Sequence, residues 1–185
     1  FWSMDLEVTD AVLIPRPDTE VLVEWALEVA RYLNTPAVLD MGTGSGAVAL
    51  ALAQELPNYR GTAVDQSQTA LAVARRNAHK LGLTVQFVLS DWYSALDGQW
   101  PLIVSNPPYI CDDDPHLLIG DLPAEPRSAL VGGRDGLDCL RALIDGSDAV
   151  LAPGGALLLE HGWDQAASVR QLLSEAGFTR VTSRR

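Results

Sequence analysis

The chain has 185 residues, 48% of them hydrophobic, and a formal net charge of −11. This length and composition fit one globular domain with a sizeable core, and no apolar run is long enough to cross a bilayer. The 13 Lys and Arg residues are scattered, so the sequence favours a protein partner over naked nucleic acid. The two cysteines match neither a metal site nor a disulfide framework, and a cytoplasmic location is the simplest expectation.

Apolar runs and amphipathic stretches alternate along the chain, which predicts a mostly parallel α/β sheet with helices on both faces. Either Asp18 or Thr19 can cap the first helix. Helices are predicted at 18–33, 45–56, 67–81, 137–151 and 164–176. Strands are predicted at 37–39, 61–64, 85–89, 102–105, 156–160 and 178–183.

Some segments fall outside this alternation. Residues 110–135 form a long irregular stretch, and loops of that length are usually functional or mobile. Residues 153–155 (Pro-Gly-Gly) predict a turn before the fifth strand. Residues 1–17 are expected to be a lead-in, as a short hairpin or linker, to a domain at 18–185. Because the chain starts at Phe1 and not at a methionine, we expect it to begin inside a longer protein.

The segment Ser105-Asn106-Pro107-Pro108-Tyr109 predicts a rigid polar corner after the fourth strand. The prolines end the strand because neither can donate a ladder hydrogen bond, and the first holds Asn106 extended. Ligands of open α/β sheets bind at this end of the strands. The amide oxygen, the backbone carbonyls and the aromatic ring suit a planar –NH2 group. The alternative is a turn that only ends the strand.

A glycine-rich loop follows the first strand and opens the second helix; it consists of Asp40, Met41, Gly42, Thr43, Gly44, Ser45 and Gly46. Glycines let the backbone approach a ligand closely, and the helix amino terminus offers free N–H donors. Asp65 ends the second strand. Its separation in sequence from the glycine-rich loop is typical of a carboxylate that accepts the ribose hydroxyls of a nucleotide.

The glycine spacing alone does not separate NAD from S-adenosylmethionine. Asp40 favours S-adenosylmethionine, because a carboxylate there suits the ammonium end of an aminoacyl ligand and is unwelcome beside a pyrophosphate. Asp91 and Trp92 end the third strand, where a carboxylate and an indole face can hold an adenine. Ordinary core packing is the alternative for Trp92.

These motifs resemble the HemK/PrmC family of class I S-adenosylmethionine-dependent methyltransferases, which modify a glutamine of peptide-chain release factors. The resemblance covers nearly the whole chain. Asn-Pro-Pro-Tyr is shared with enzymes that methylate amino groups of nucleic-acid bases, and its combination with residues 14–20 (Ile-Pro-Arg-Pro-Asp-Thr-Glu) is much more specific. The other markers are residues 1–3, 40–46, 90–92, 125–126, 129–130 and 159–162.

The resemblance implies a Rossmann-like sheet of seven strands, the last of them antiparallel. That last strand and the family's helical amino-terminal domain are not matched in this sequence, and residues 123–126 (Pro-Ala-Glu-Pro) lack an expected aromatic or basic residue. The resemblance also implies that the target glutamine lies in a Gly-Gly-Gln loop of the release factor. It is expected to be held by Asn106, Pro107 and Tyr109, with Pro108 beside them. The residues that we expect to bind S-adenosylmethionine are Asp40, Gly42, Thr43, Gly44, Ser45, Gly46, Asp65, Asp91, Trp92 and Asn106.

The expected reaction is an in-line methyl transfer to a carboxamide nitrogen, which needs alignment more than acid–base catalysis. We expect the Asn106 side-chain oxygen and the Pro107 carbonyl to accept the two amide hydrogens, with Tyr109 packed on the amide plane. The alternatives are an amino-methyltransferase for adenine in DNA or guanine in RNA, a nicotinamide-dependent oxidoreductase, and a non-catalytic binding module.

Other polar residues carry weaker signals. Arg16 and Glu20 are expected near the entrance, where they either shape a lid or cap a helix. Glu160 and His161 follow the fifth strand, where a structural histidine is the better interpretation. Residues 112–114 (Asp-Asp-Asp) are interpreted as a solvated loop and not as a metal site, because adjacent side chains point in different directions.

Overall fold

A parallel sheet forms the centre of the computed structural model, which describes residues 1–184. Among these residues the strands are β1 (Ala37–Met41), β2 (Arg60–Asp65), β3 (Gln86–Leu89), β4 (Trp100–Ser105) and β5 (Leu151–Leu159). The helices are α1 (Thr19–Tyr32), α2 (Ala47–Glu55), α3 (Gln68–Leu81), α4 (Asp138–Ser147) and α5 (Ala166–Glu175). Short 3-10 turns lie at Pro115–Leu118, Leu122–Ala124 and Arg127–Ala129.

The strand order is β3-β2-β1-β4-β5, and every neighbouring pair is parallel. The chain builds outward from β1 to β3 and then returns to place β4 on the other side of β1. This reversal is the switch point at which doubly wound folds bind ligands. The predicted Rossmann-like α/β class is confirmed.

The two faces of the sheet carry separate cores because successive strand side chains point in opposite directions. One core packs against α1 and α2, and the other packs against α4. The central strands are therefore apolar at every position along most of their length, as expected for strands buried on both sides. The first core includes Val38, Leu102 and Val104, and the second includes Leu39, Met41 and Ile103.

The predicted sixth strand is wrong within the described residues. Residues 178–184 take no regular structure, and Arg180 has a φ of 58°, which lies outside the β region. This segment has few apolar residues, and exposed polar residues lie between them. Pairing the segment with the sheet would therefore bury little apolar surface. The seven-stranded sheet that the resemblance implies is thus represented by five strands in residues 1–184.

The boundary between α4 and β5 also differs from the prediction. The helix ends at Ser147, and β5 already begins at Leu151, which pairs with Trp100. The next pair is Leu102 with Ala156, so the Pro-Gly-Gly turn forms an irregularity inside the strand and not a separator before it. Because proline cannot donate a ladder hydrogen bond, strands tolerate it at such irregularities.

Residues 1–17 dock on α3 through a buried asparagine. Asn77 is fully buried, and its Oδ1 accepts a hydrogen bond from the Glu7 backbone N–H at 2.7 Å. Its Nδ2 donates to the Glu7 carbonyl at 3.0 Å and to the Ser45 carbonyl in the glycine loop at 2.9 Å. One side chain thereby joins the amino-terminal segment, α3 and the glycine loop.

None of the helices in residues 1–184 has the length and apolar character needed to cross a membrane.

Replacing Asn77 by alanine should lower the free energy of unfolding by about 2 kcal/mol, because it leaves the buried Ser45 carbonyl and the partly buried backbone groups of Glu7 without this partner. The matched control is Arg76→Ala, which removes an exposed ion pair to the same Glu7 and should cost less than about 1 kcal/mol. Urea denaturation measures both. Equal losses in the two variants would contradict the role given to Asn77.

Candidate active site

The loops that follow the strands meet at the carboxyl edge of the sheet and enclose a cavity. Met41 pairs with Val64 on one side and with Ser105 on the other, so β1, β2 and β4 end level with one another. The Ser105 hydroxyl donates to the Met41 carbonyl at 2.6 Å and ties β1 to β4 at this edge. The cavity holds about 1060 Å³ of empty space, including its open mouth.

Most of the predicted site residues line this cavity. Gly46, Pro107 and Tyr109 are not among its lining residues. Gly46 is the residue before α2, with a φ of 86°, and a Cβ there would lie 3.1 Å from a methyl group of Leu50, so close packing favours glycine at this position; its contact with a cofactor remains a prediction. The predicted residues that line the cavity are Asp40, Gly42, Thr43, Gly44, Ser45, Asp65, Asp91, Trp92, Asn106 and Pro108.

The glycine loop turns over the end of β2 and leaves open space above it. The backbone N–H groups of Gly42 and Thr43 both donate to the Val64 carbonyl at 2.9 Å. Gly42 and Gly44 have φ values of 73° and 56°, and a Cβ added to either would meet no protein atom within 4 Å. The loop is therefore a backbone cradle whose open side a ligand can fill.

Asp40 is a buried carboxylate at the base of this loop. It is 1% exposed and accepts a hydrogen bond from the Thr43 hydroxyl at 2.6 Å. Burial raises its pKa from 3.8 to about 6, although the Thr43 hydroxyl and the Ala49 backbone N–H in the first turn of α2 oppose the shift. Asp40 thus holds the loop and the start of α2 in place, and its charge lies beside the cavity.

Asp65 fixes the opposite side of the cradle. Its Oδ2 accepts from the Gly44 N–H at 2.9 Å, and its Oδ1 accepts from the Ser67 N–H at 2.8 Å. Burial raises the pKa of Asp65, and these backbone hydrogen bonds partly offset that rise. Each carboxylate oxygen can accept a further hydrogen bond, so Asp65 can still receive the two hydroxyls of a ribose.

Trp92 is held in an unusual backbone conformation at the end of β3. Its φ is 45°, which non-glycine residues rarely adopt. The Ser90 hydroxyl donates to the Trp92 carbonyl at 2.8 Å and accepts from the Ala95 N–H at 3.0 Å, which stabilises this turn. The indole packs on the second core and lines the cavity, whereas the neighbouring Asp91 is exposed. Trp92 thus both packs in the core and lines the cavity, and its contact with an adenine remains a prediction.

The polar corner after β4 presents Asn106 to the cavity. The Asn106 Nδ2 donates to the Thr19 hydroxyl oxygen at 3.0 Å, which leaves the Asn106 Oδ1 without a protein donor in residues 1–184. Pro107 is buried. The Tyr109 ring packs against the cluster around α4 and α5, and its hydroxyl donates to Glu160 Oε1 at 3.1 Å.

Glu160 anchors Tyr109 on the far side of the corner. Its backbone N–H donates to the Ser105 carbonyl at 2.9 Å. Burial raises the pKa of the Glu160 carboxyl, and the hydroxyls of Thr19 and Tyr109 partly oppose the rise. His161 bonds through its Nδ1 to the Gly162 carbonyl at 2.8 Å.

No cluster of three or more potential metal-binding side chains occurs in the part of the chain that the structure describes.

The stretch 110–135 forms part of the cavity wall and is fastened by an ion pair between a partly exposed arginine and a buried carboxylate. Arg16 donates to Glu125 Oε1 at 2.5 Å, and the Glu125 side chain is only 3% exposed. Pro126, Ser128 and Ala129, which follow Glu125, line the cavity. Arg16 therefore shapes the lid, whereas Glu20 accepts a hydrogen bond from the backbone N–H of Trp2 at 2.8 Å and does not reach the cavity lining.

The amino-terminal segment forms part of the cavity wall, which the sequence patterns did not predict. Ala11, Val12, Leu13, Pro15 and Thr19 all line it. The segment at 14–20 stood out only through its family resemblance, and nothing in its hydrophobic pattern marks a cavity wall. Cys139 on α4 also lines the cavity, and a single cysteine carries no spacing signal that could have revealed it.

Comparison with known proteins gives a consistent result. Residues 17–122 match the family described as "Methyltransferase small domain". "Release factor glutamine methyltransferase" of Burkholderia pseudomallei is 52% identical over 192 residues, covering 100% of this chain and 67% of that protein. The protein of the same name from Escherichia coli is 50% identical over 181 residues, covering 96% and 65%. The structure of ribosomal protein L11 methylase from Lactobacillus delbrueckii subsp. bulgaricus has a TM-score of 0.67 and 24% identity, covering 92% and 74%.

The strand order, the glycine cradle and the family match define a methyltransferase domain with the class I fold. Within that class, the chain belongs to the release factor glutamine methyltransferase family, because its identity to curated members is about one half along nearly its whole length. It spans about two thirds of the length of these relatives.

The raised pKa of Asp40 makes stability depend on pH. The folded state holds the proton more tightly than the unfolded chain, so this contribution is complete below pH 3.8 and is lost as the pH rises through about 6. Between pH 4 and pH 7, Asp40→Asn should therefore gain about 2 kcal/mol of unfolding free energy relative to the wild type. Urea denaturation at both pH values tests this. A difference between the two proteins that does not change with pH would contradict it.

Removing Arg16 should loosen the lid, because it leaves the buried Glu125 carboxylate without a partner. We expect Arg16→Met to lower the free energy of local opening of residues 110–135 by about 3 kcal/mol, measured by hydrogen exchange of the backbone amides. The double variant Arg16→Met, Glu125→Met is the control and should recover much of the protection. Unchanged exchange in the single variant would show that the ion pair does not fasten the lid.

Proposed function

We propose that the chain transfers a methyl group from S-adenosylmethionine to the side-chain amide nitrogen of the glutamine in the Gly-Gly-Gln loop of peptide-chain release factors. One observation carries the proposal: the side-chain oxygen of Asn106, free to accept a hydrogen bond, shares a cavity with the glycine cradle and Asp65. An acceptor site for an amide and a nucleotide-type site thus adjoin each other. The names of the curated relatives support this substrate.

The cavity fits S-adenosylmethionine, which supplies an electrophilic methyl group when bound. The open side of the glycine cradle can take the aminoacyl end, with the Asp40 charge close behind the loop. Asp65 has hydrogen-bonding capacity left for the ribose hydroxyls. Asp91 and Trp92 at the end of β3 suit the adenine amine and ring face. Thr43, Ser45 and Gly44 complete the loop, and Gly46 allows α2 to start close to it.

At the acceptor end, the chain orients a poor nucleophile. The lone pair of a carboxamide nitrogen is delocalised, so alignment at short range is the main task of the protein. We assign the Asn106 Oδ1 to accept an amide hydrogen, which directs the nitrogen toward the glycine cradle. The Pro107 carbonyl, expected from the sequence to accept the second hydrogen, belongs to a buried residue outside the cavity lining, so its part in the site remains a prediction. Pro108 lines the cavity beside them. Tyr109 supports the corner through Glu160 and the α4 side.

The wider assignments follow from the same proposal. The partner is a class 1 release factor bound as a protein substrate, without a membrane or direct nucleic-acid contact, and the setting is the cytoplasm. Residues 1–17 act as a lead-in that docks on α3 and walls the cavity, and residues 18–185 form the methyltransferase domain; Arg185 lies outside the described residues.

The experiment is transfer of labelled methyl groups from S-adenosylmethionine. A wild-type release factor, its Gln→Ala variant in the Gly-Gly-Gln loop, DNA and ribosomal RNA are offered separately. Label on the wild-type release factor alone is the expected result. Label on a nucleic acid alone would mean that the methyl acceptor is an amino group of a base and not the glutamine. Equal label on the Gln→Ala variant would mean that the enzyme modifies a different atom of the release factor.

Asn106→Ala should reduce kcat for release-factor methylation about 100-fold or more, because the nitrogen loses the group that orients it. Binding of S-adenosylhomocysteine, measured by calorimetry, should change less than about threefold. Gln171→Ala removes an exposed amide on α5 and serves as the control with unchanged kcat. A loss confined to cofactor affinity would mean that Asn106 serves the cofactor and not the acceptor.

A further inference from the structure

The amide of Asn106 has two chemically different ends, and the end that faces the cavity decides what it can do. The oxygen accepts hydrogen bonds, whereas the –NH2 group only donates. An acceptor nitrogen that itself carries two hydrogens needs the oxygen. A flipped amide would set two donors against each other. The two orientations have nearly the same shape, so packing alone does not choose between them.

Thr19 contacts the –NH2 end of this amide. Its hydroxyl oxygen lies 3.0 Å from the Asn106 Nδ2, across 87 residues of sequence. Thr19 is only 3% exposed, is the first residue of α1 and lines the same cavity as Asn106. Its hydroxyl is not used to cap the helix, since the capping position belongs to Asp18.

A buried carboxylate lies near the Thr19 hydroxyl. Burial raises the pKa of the Glu160 carboxyl and the Thr19 hydroxyl partly lowers it, so the two groups are neighbours. A carboxylate attracts a hydroxyl proton, whereas the Asn106 –NH2 group can only donate. The Tyr109 hydroxyl donates to the Glu160 Oε1 at 3.1 Å. The Thr19 oxygen is therefore the acceptor in its hydrogen bond with Asn106.

We propose that Thr19 is a positioning residue that turns the side-chain oxygen of Asn106 toward the acceptor nitrogen. Glu160 completes the arrangement, because its carboxylate accepts from the Tyr109 hydroxyl and lies near the Thr19 hydroxyl. α1, the corner after β4 and the end of β5 are thereby joined through one polar chain. The expected effect of Thr19 on kcat rests on the proposed function. The orientation of the Asn106 amide does not depend on it.

The kinetic test compares Thr19→Val, which keeps the shape and removes the hydroxyl, with Thr19→Ser, which keeps the hydroxyl. We expect Thr19→Val to lower kcat for release-factor methylation about 10- to 100-fold, with KM for S-adenosylmethionine within about threefold of wild type. Thr19→Ser should restore kcat to within about threefold. In an Asn106→Ala background, Thr19→Val should cause no further loss. Equal kcat values for Thr19→Val and wild type, or a full additional loss in that background, would overturn the proposal.

A second test needs no methyl acceptor. The side-chain –NH2 protons of Asn106 are observable by nitrogen-15 NMR of the chain with S-adenosylhomocysteine. We expect slow exchange with water for the proton bonded to Thr19 in the wild type and in Thr19→Ser, and exchange at least about tenfold faster in Thr19→Val. Thr19→Ala replaces Thr19→Val if the latter does not fold. Equal exchange with and without the hydroxyl would overturn the proposal, and this readout stands even if release factors are not methylated.

Discussion

The parallel pairing of β1 with β4 is the constraint on which the site depends. Strands that come from distant parts of the chain lie side by side because β4 returns to the first strand, and their ends are level at Met41 and Ser105. The Ser105 hydroxyl adds a bond across this edge. The pairing places the glycine cradle next to the Asn106 corner. A shift of one residue would turn every side chain of β4 to the opposite face and separate the two halves of the site.

Two segments that contribute no strand to the sheet then complete the cavity. Residues 1–17 are anchored by Asn77, which also holds the Ser45 carbonyl of the cradle. The stretch 110–135 is anchored by the pair of Arg16 with Glu125. In both cases a buried polar group with defined partners helps to fix a segment that forms none of the strands of the sheet. Such partners fix geometry more than they add net stability. A fixed geometry suits cavity walls that must hold a ligand in a defined position.

Local patterns predicted the parts of this protein that depend on local chemistry. The alternation of apolar runs predicted β1 to β5 and the helices, and the glycines with Asp65 predicted the cradle. The predicted sixth strand was wrong because residues 178–184 form no strand, although β5 is an edge strand of the sheet, and strand propensity alone does not produce pairing. The roles of Thr19 and Asn77 were not predictable, since their contacts join residues 87 and 70 positions apart. The expected stacking of Tyr109 on the amide remains a prediction, because the structure shows its hydroxyl bound to Glu160 outside the cavity lining.

The central claim is that one cavity brings an amide nitrogen and the methyl donor together, and a crystal structure tests it most directly. The chain would be crystallised with S-adenosylhomocysteine and a peptide that contains Gly-Gly-Gln. The account predicts the sulfur above the glycine cradle, and the glutamine side-chain nitrogen about 3 Å from the Asn106 Oδ1. A peptide bound outside the cavity, or a glutamine whose oxygen and not its nitrogen faces the sulfur, would contradict the account.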